Sequence, residues 1–166
     1  MKKILMTATF LAGAAMPATA ADTNPTPNWA AIVMTADVAQ PADVTWQRIG
    51  GNDYCAIIKY LGMQSCTLTT GTGDVGTMRL LNGTIQELLV SRTSHSYVYA
   101  QPTSAIFYHG AMAVEPVDAT HSRIVYTLLY DQSSLTTPEA QAANREQRRS
   151  RFQAGVDKMK QAAETP

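Results

Sequence analysis

The chain has 166 residues, of which 45% are hydrophobic, and its 13 basic and 13 acidic side chains cancel to a formal charge of zero. That length suits one domain with a sizeable core, and the charge balance excludes the basic excess that nucleic-acid binders carry. Beyond the N-terminus no apolar run reaches the roughly 20 residues needed to cross a bilayer.

The first residues are Met1-Lys2-Lys3, then an apolar stretch from Ile4 to Met16, then Pro17-Ala18-Thr19-Ala20. A basic start, a short apolar stretch and a small-x-small site predict a secretory signal peptide over residues 1–20, cleaved after Ala20. An uncleaved N-terminal anchor is the alternative. The short lysine-led start and the Ala-x-Ala site have a bacterial look, so the expected destination is a periplasm. Losing Lys2 and Lys3 leaves 11 basic against 13 acidic side chains, a formal charge of −2.

Residues 21–28 are polar with two prolines and read as a flexible leader. One domain is expected over 29–166. Trp29 to Val38 is apolar and β-branched enough for a first strand. Pro41-Ala42-Asp43 opens a helix that Gly50-Gly51 stops, and a second short helix fits Asp53 to Tyr60, closed by Gly62. Short apolar runs separated by turn signals such as Asn82-Gly83 and Pro102-Thr103 then predict antiparallel strands near 63–70, 75–81, 84–92, 96–101, 105–115 and 122–131. Thr137-Pro138-Glu139 starts a long helix to about Ala163, whose stripe Phe152, Val156, Met159, Ala163 has the spacing of a helix packed on a core. The fold class is therefore α+β: a curved seven-stranded antiparallel sheet wrapped around a long C-terminal helix, with two short helices between strands 1 and 2. A ligand cavity is expected between sheet and helix.

Cys55 and Cys66 are the only cysteines. In an oxidising compartment such a pair is a candidate disulfide; two buried thiols are the other reading. No histidine or third cysteine stands at zinc-ligand spacing beside them, so no metal site is expected. No cofactor motif appears either. Gly71-Thr72-Gly73-Asp74-Val75-Gly76 has the glycine spacing of a nucleotide loop, but a strand follows it where the phosphate-binding mechanism needs a helix.

Several pieces in order resemble one superfamily. Ala39-Gln40-Pro41-Ala42-Asp43-Val44-Thr45-Trp46 is similar to its entry to the first helix. Gly76-Thr77-Met78-Arg79 is similar to its G-x-x-R strand, Glu87-Leu88-Leu89 to E-R-L, and Ser96-Tyr97-Val98-Tyr99 to S-Y-x-Y. Tyr108 to Pro116 resembles the strand ending in V-x-P, and Phe152 to Lys160 the closing helix. These are features of the helix-grip superfamily: START lipid-transfer domains, the birch-pollen allergen, plant abscisic-acid receptors and polyketide cyclase/dehydrase-like proteins. The small exported bacterial members are the most similar, among them a periplasmic accessory protein of methanol oxidation. The sequence departs from many relatives in having Lys59-Tyr60-Leu61 where they carry Trp-His-Pro. It also has Gln64 where abscisic-acid receptors hold a carboxylate with lysine.

The resemblance implies that Arg79 and Glu87 face the cavity. A two-residue turn at Asn82-Gly83 would set Arg79 opposite Gln86, whereas a three-residue loop sets it opposite Glu87 on one face. A solvated surface ion pair is the other reading. Candidate ligand-binding residues are Gln64, Arg79, Glu87, Tyr108, Tyr126, Phe152, Val156 and Met159. Tyr97, Tyr99 and Tyr130 read as structural, and His95, His109 and His121 as surface residues. Arg145, Arg148, Arg149 and Arg151 form a basic run. A solvated face is its plain reading, but Arg145 and Arg149 extend the Phe152 stripe backwards toward the cavity mouth.

Three functions fit these residues. The first is a periplasmic protein that binds a small apolar or amphipathic molecule, or assists a periplasmic partner protein. The second is a cyclase, dehydratase or lyase with Glu87 as general acid/base and Tyr108 or Arg79 polarising an oxygen. The third is a protein-interaction module with no open cavity.

Overall fold

In the computed structural model, which describes residues 26–165, the first strand starts at Trp29, where the burial of an apolar run begins to alternate. The expected signal peptide over residues 1–20 lies outside the described residues, as does most of the leader. β1 (Trp29–Val38) buries Ala30, Ile32, Met34 and Val38 and turns most of the intervening side chains outward, the period of two of a strand with one face on a core. β2 (Cys66–Thr70), β3 (Met78–Leu81), β4 (Ile85–Arg92), β5 (Ser96–Ala100), β6 (His109–Pro116) and β7 (Ser122–Asp131) join it in one antiparallel sheet. The spatial order is β1-β7-β6-β5-β4-β3-β2. The seven-stranded α+β architecture expected from the sequence is the one observed.

Three strands start later than the sequence predicts, each for a local reason. Asn82 Oδ1 accepts the N–H groups of Gln64 and Ser65, at 2.9 and 3.2 Å, and holds them in a loop, so β2 begins at Cys66. A turn from Asp74 to Thr77, with Gly76 at φ 92°, delays β3 to Met78. Two successive turns after Gln101 end at Phe107, whose φ is 48°, and delay β6 to His109. The register of β4 against β5 shifts between Leu89 and Ser91, a local irregularity of the kind that bends and twists a sheet.

Between β1 and β2 stand α1 (Ala42–Ile49) and a 3₁₀ helix (Ala56–Leu61). The second of these is shorter than predicted. Asp53 Oδ1 accepts the Cys55 N–H at 2.8 Å, and this local bond makes a turn where the helix was expected to begin. α2 (Pro138–Glu164) is capped by Thr137, whose hydroxyl accepts the Ala140 N–H at 3.2 Å. Its stripe Phe152, Val156, Met159 and Ala163 is buried, as the spacing predicts.

One margin of α2 seals the outer edge of the sheet. Arg149, Gln153 and Lys160 donate to the carbonyls of Val33, Thr35 and Asp37 at 3.1, 3.0 and 2.6 Å. An edge strand left open is a template for foreign strands; here helix side chains take up alternate carbonyls of β1. At the far end Arg48 of α1 donates to the carbonyl of Ala163 at 2.7 Å, a cation where the helix dipole is negative.

Cys55 and Cys66 form a disulfide, with their Cα atoms 5.6 Å apart. It fastens the start of the 3₁₀ helix to the start of β2. The Cys55→Ser/Cys66→Ser double variant should lose roughly 2–4 kcal/mol in urea unfolding, the usual worth of a native bridge. An unchanged midpoint would show that the two segments are held without it.

Candidate functional site: a cavity between sheet and helix

The site begins with a turn. Leu81 pairs with Ile85, so the β3–β4 connection has three residues, and Arg79 stands opposite Glu87. Asn82 and Gly83 both take positive φ, 49° and 72°, which asparagine and glycine tolerate best. In this register both charged side chains point to the concave face. Arg79 is 1% exposed and Glu87 3%.

A guanidinium so deeply buried needs each nitrogen engaged, because the net cost of removing an ion from water is several kcal/mol. Arg79 Nε and Nη2 both donate to Glu87 Oε2, at 2.8 and 2.5 Å, and Nη1 donates to the carbonyl of Tyr54. Its carbon lies 3.9 Å from the centroid of the Tyr54 ring, with Tyr99 at 5.4 and Tyr97 at 5.8 Å, so the cation is boxed by aromatic faces. The other oxygen of Glu87 accepts from Gln101 Nε2 at 3.0 Å.

A second polar feature crosses three strands. Tyr99 of β5 reaches over Gly110 of β6 to meet Tyr126 of β7, hydroxyl to hydroxyl at 2.9 Å. A side chain at Gly110 would run into the Tyr99 ring, so glycine is what lets the ring lie across β6. Burial pushes both phenols well above their ordinary pKa and keeps them protonated. One hydroxyl donates to the other, which leaves one proton free to donate elsewhere.

These groups line one end of a cavity of about 190 Å³ between α2, the sheet and the 3₁₀ helix. Ile58, Leu61, Leu81, Ile85 and Phe152 form its apolar walls. The disulfide helps hold the wall that Ile58 and Leu61 supply. Arg79, Tyr99 and Tyr126 are fully buried and mark its closed end, while the half-buried or exposed Met63, Gln101, Ile106, Arg148 and Arg151 mark its mouth.

Of the residues singled out from sequence, Arg79, Glu87, Tyr108, Tyr126 and Phe152 line this cavity. Gln64 does not: it is exposed in the loop before β2, held by its backbone to Asn82. Val156 and Met159 do not either. They lie farther along α2, where helix and sheet are in direct contact and the core is solid. Tyr99, read from sequence as structural, is a lining residue. The signal for it was Gly110, a lone glycine inside a strand pattern, which marks a close approach.

The basic run also resolves differently. Arg148 and Arg151 line the mouth, whereas Arg145 donates to Gln132 and Arg149 to the carbonyl of Val33. α2 crosses the sheet with one margin on β1 and the other on the cavity, and Arg149 falls on the β1 side. Arg148 packs over the rings of Tyr130 and Tyr108, at 4.3 and 5.5 Å. The three histidines lie away from the cavity: His95 meets Asp43, His121 meets Asp118, and His109 contacts the carbonyl of Phe107. Among the described residues there is no cluster of three or more metal-ligating side chains. No helix among them is long and apolar enough to cross a membrane.

Comparison with known proteins gives the same architecture. The family described as polyketide cyclase/dehydrase and lipid transport matches residues 30–164. A solution structure of a Thermobifida fusca protein is 26% identical, with a TM-score of 0.58, covering 76% of this chain and 84% of its own. The protein XoxI from Bacillus cereus is 18% identical, with a TM-score of 0.62, covering 80% and 94%. A Nitrosospira multiformis protein is 20% identical, with a TM-score of 0.59, covering 78% and 96%. No curated protein matches the chain.

The buried pair makes a mutational prediction. Glu87→Gln strands the Arg79 charge and should cost about 3–5 kcal/mol in urea unfolding, while replacing both residues by apolar ones, Arg79→Met/Glu87→Leu, should recover most of that loss. A Glu87→Gln variant as stable as the parent would mean that the pair is solvated.

Proposed function

Because this chain belongs to the polyketide cyclase/dehydrase and lipid-transport family, we propose that its cavity binds one small amphipathic molecule. The observation that carries this reading is the division of the cavity lining. Apolar walls from Ile58, Leu61, Ile85 and Phe152 meet a polar floor of Glu87 and the Tyr99–Tyr126 hydroxyl pair, with Gln101 reaching in from the mouth to Glu87. The walls reward burial of hydrocarbon at about 25 cal/mol per Å², and the floor selects a polar substituent at the inner end. Size limits the choice further. At about 190 Å³ the space falls below the roughly 300–1,000 Å³ of pockets for drug-sized ligands, so a long-chain lipid does not fit inside it.

The disulfide supports function in an oxidising compartment. Together with the signal peptide expected from sequence, it makes the periplasm the proposed location.

A second reading has one observation in its favour: Glu87 and Tyr108 line the same cavity, as a general acid/base and a polarising hydroxyl would. Against it, Glu87 already accepts two bonds from Arg79 and one from Gln101, which leaves it poorly placed to take a substrate proton.

Native mass spectrometry of protein purified from its own periplasm distinguishes these functions. The binding reading expects one small molecule retained per chain. A mixture of substrate and product would support the enzyme, and a bare polypeptide throughout would contradict both.

A further inference from the structure

Resting on the reading of the cavity as a ligand site, we infer that its ligand is a small organic acid whose carboxylate sits at the mouth between Arg148 and Arg151. The cavity lining contains four charged side chains: Arg79, Glu87, Arg148 and Arg151. The first two neutralise each other through direct hydrogen bonds. The mouth is therefore left with two positive charges.

Neither mouth arginine has a carboxylate partner among the described residues. Arg148 donates its Nε to Asn144 at 3.0 Å, and its guanidinium plane packs on Tyr130. Asn144 is in turn held by the Tyr130 hydroxyl at 3.0 Å, so the arginine is positioned before any ligand arrives. Its terminal nitrogens make no hydrogen bond within the described residues. Arg151 lies one turn farther along α2, and its Nη2 makes only a long contact, 3.4 Å, to the carbonyl of Leu61. Two guanidinium groups three residues apart, both bordering one opening, offer the forked donors that a carboxylate accepts from best.

Charge also sets the ligand's direction. At the closed end Arg79 cancels the Glu87 charge, whereas the charge at the mouth is positive and uncompensated, so an acid group is drawn to the mouth. The Tyr108 phenol reports the same field: burial pushes it up, and both Arg148 and Arg151 act against that rise. Behind the mouth the space is small, about 190 Å³, and suits a short-chain acid. Octanoate, with seven carbons behind its carboxylate, is a fitting probe.

The test titrates ¹⁵N-labelled mature protein with octanoate, 1-octanol and octylammonium. Octanoate should bind about tenfold or more tightly than octanol, the worth of one charge-assisted contact, and octylammonium more weakly than octanol. The octanoate advantage should shrink in the parent protein as salt rises from low to about 0.5 M. It should disappear in Arg148→Gln/Arg151→Gln, read as the ratio of octanoate to octanol affinity measured within that variant. Arg151→Gln alone, at an exposed position, should remove part of the advantage without loss of fold. Equal affinity for octanoate and octanol, or an advantage that survives both substitutions, would overturn the acid site and leave the cavity reading standing. If neither octanoate nor octanol shifts the cavity resonances, both inferences fall.

Discussion

A positive charge sealed in the interior, that of Arg79, constrains more of this molecule than any other single group. A side chain 1% exposed cannot keep a charge unless its donors are met, and three separate segments converge to meet them. The Tyr54 carbonyl comes from the connection between the two short helices. The Glu87 carboxylate comes from the next strand, in a register that only the three-residue turn Asn82-Gly83-Thr84 provides. The aromatic box comes from Tyr54, Tyr97 and Tyr99. The disulfide at Cys55 anchors the segment next to Tyr54. Shifting any of these would leave an unpaired charge in a low-dielectric interior.

The same constraint accounts for an open space in a core that is otherwise dense. Where α2 meets β1 and α1, the facing side chains are apolar, and Val156, Met159 and Ala163 are completely buried. Gly155 brings the helix against Leu61 and the backbone of Tyr60, where even a methyl group would collide. One helix turn away the sheet presents an ion pair and hydroxyls. Covering those with hydrocarbon would bury polar groups without partners. The helix instead places arginines over that end, and between them and the floor a cavity remains.

Much of this fold was legible because it follows from local chemistry. Trp29 to Val38 is apolar and β-branched enough for a strand; Pro41 and Gly50 punctuate α1; the Phe152 stripe keeps its period through about three turns. The strands at Cys66, Met78 and His109 begin three or four residues later than the sequence predicts: Asn82, distant in sequence, captures the amides of Gln64 and Ser65, and backbone turns at Asp74–Thr77 and Gln101–Phe107 hold back the other two. The site was legible where a pairing rule applied, as with Arg79 and Glu87 across a hairpin. It was illegible where a helix margin had to be chosen. Arg145, Arg148, Arg149 and Arg151 all lie within reach of the Phe152 face. Which of them borders the cavity depends on how α2 crosses the sheet, and helical periodicity carries no such information. Gln64 is a candidate only through the match to relatives, and its own loop, held to Asn82, leaves it exposed.

The account stands or falls on whether the cavity holds the ligand. Ile85 lines it from the start of β4, so Ile85→Trp fills the space with indole and leaves the Arg79–Glu87 pair intact. Thermal unfolding and native mass spectrometry of this variant, beside the parent purified from the same host compartment, form the most direct test. The account predicts a melting temperature equal to or above the parent's, because filling a cavity restores lost contacts, together with loss of the retained small molecule. A folded Ile85→Trp protein that still carries the parent's ligand at full occupancy would contradict it.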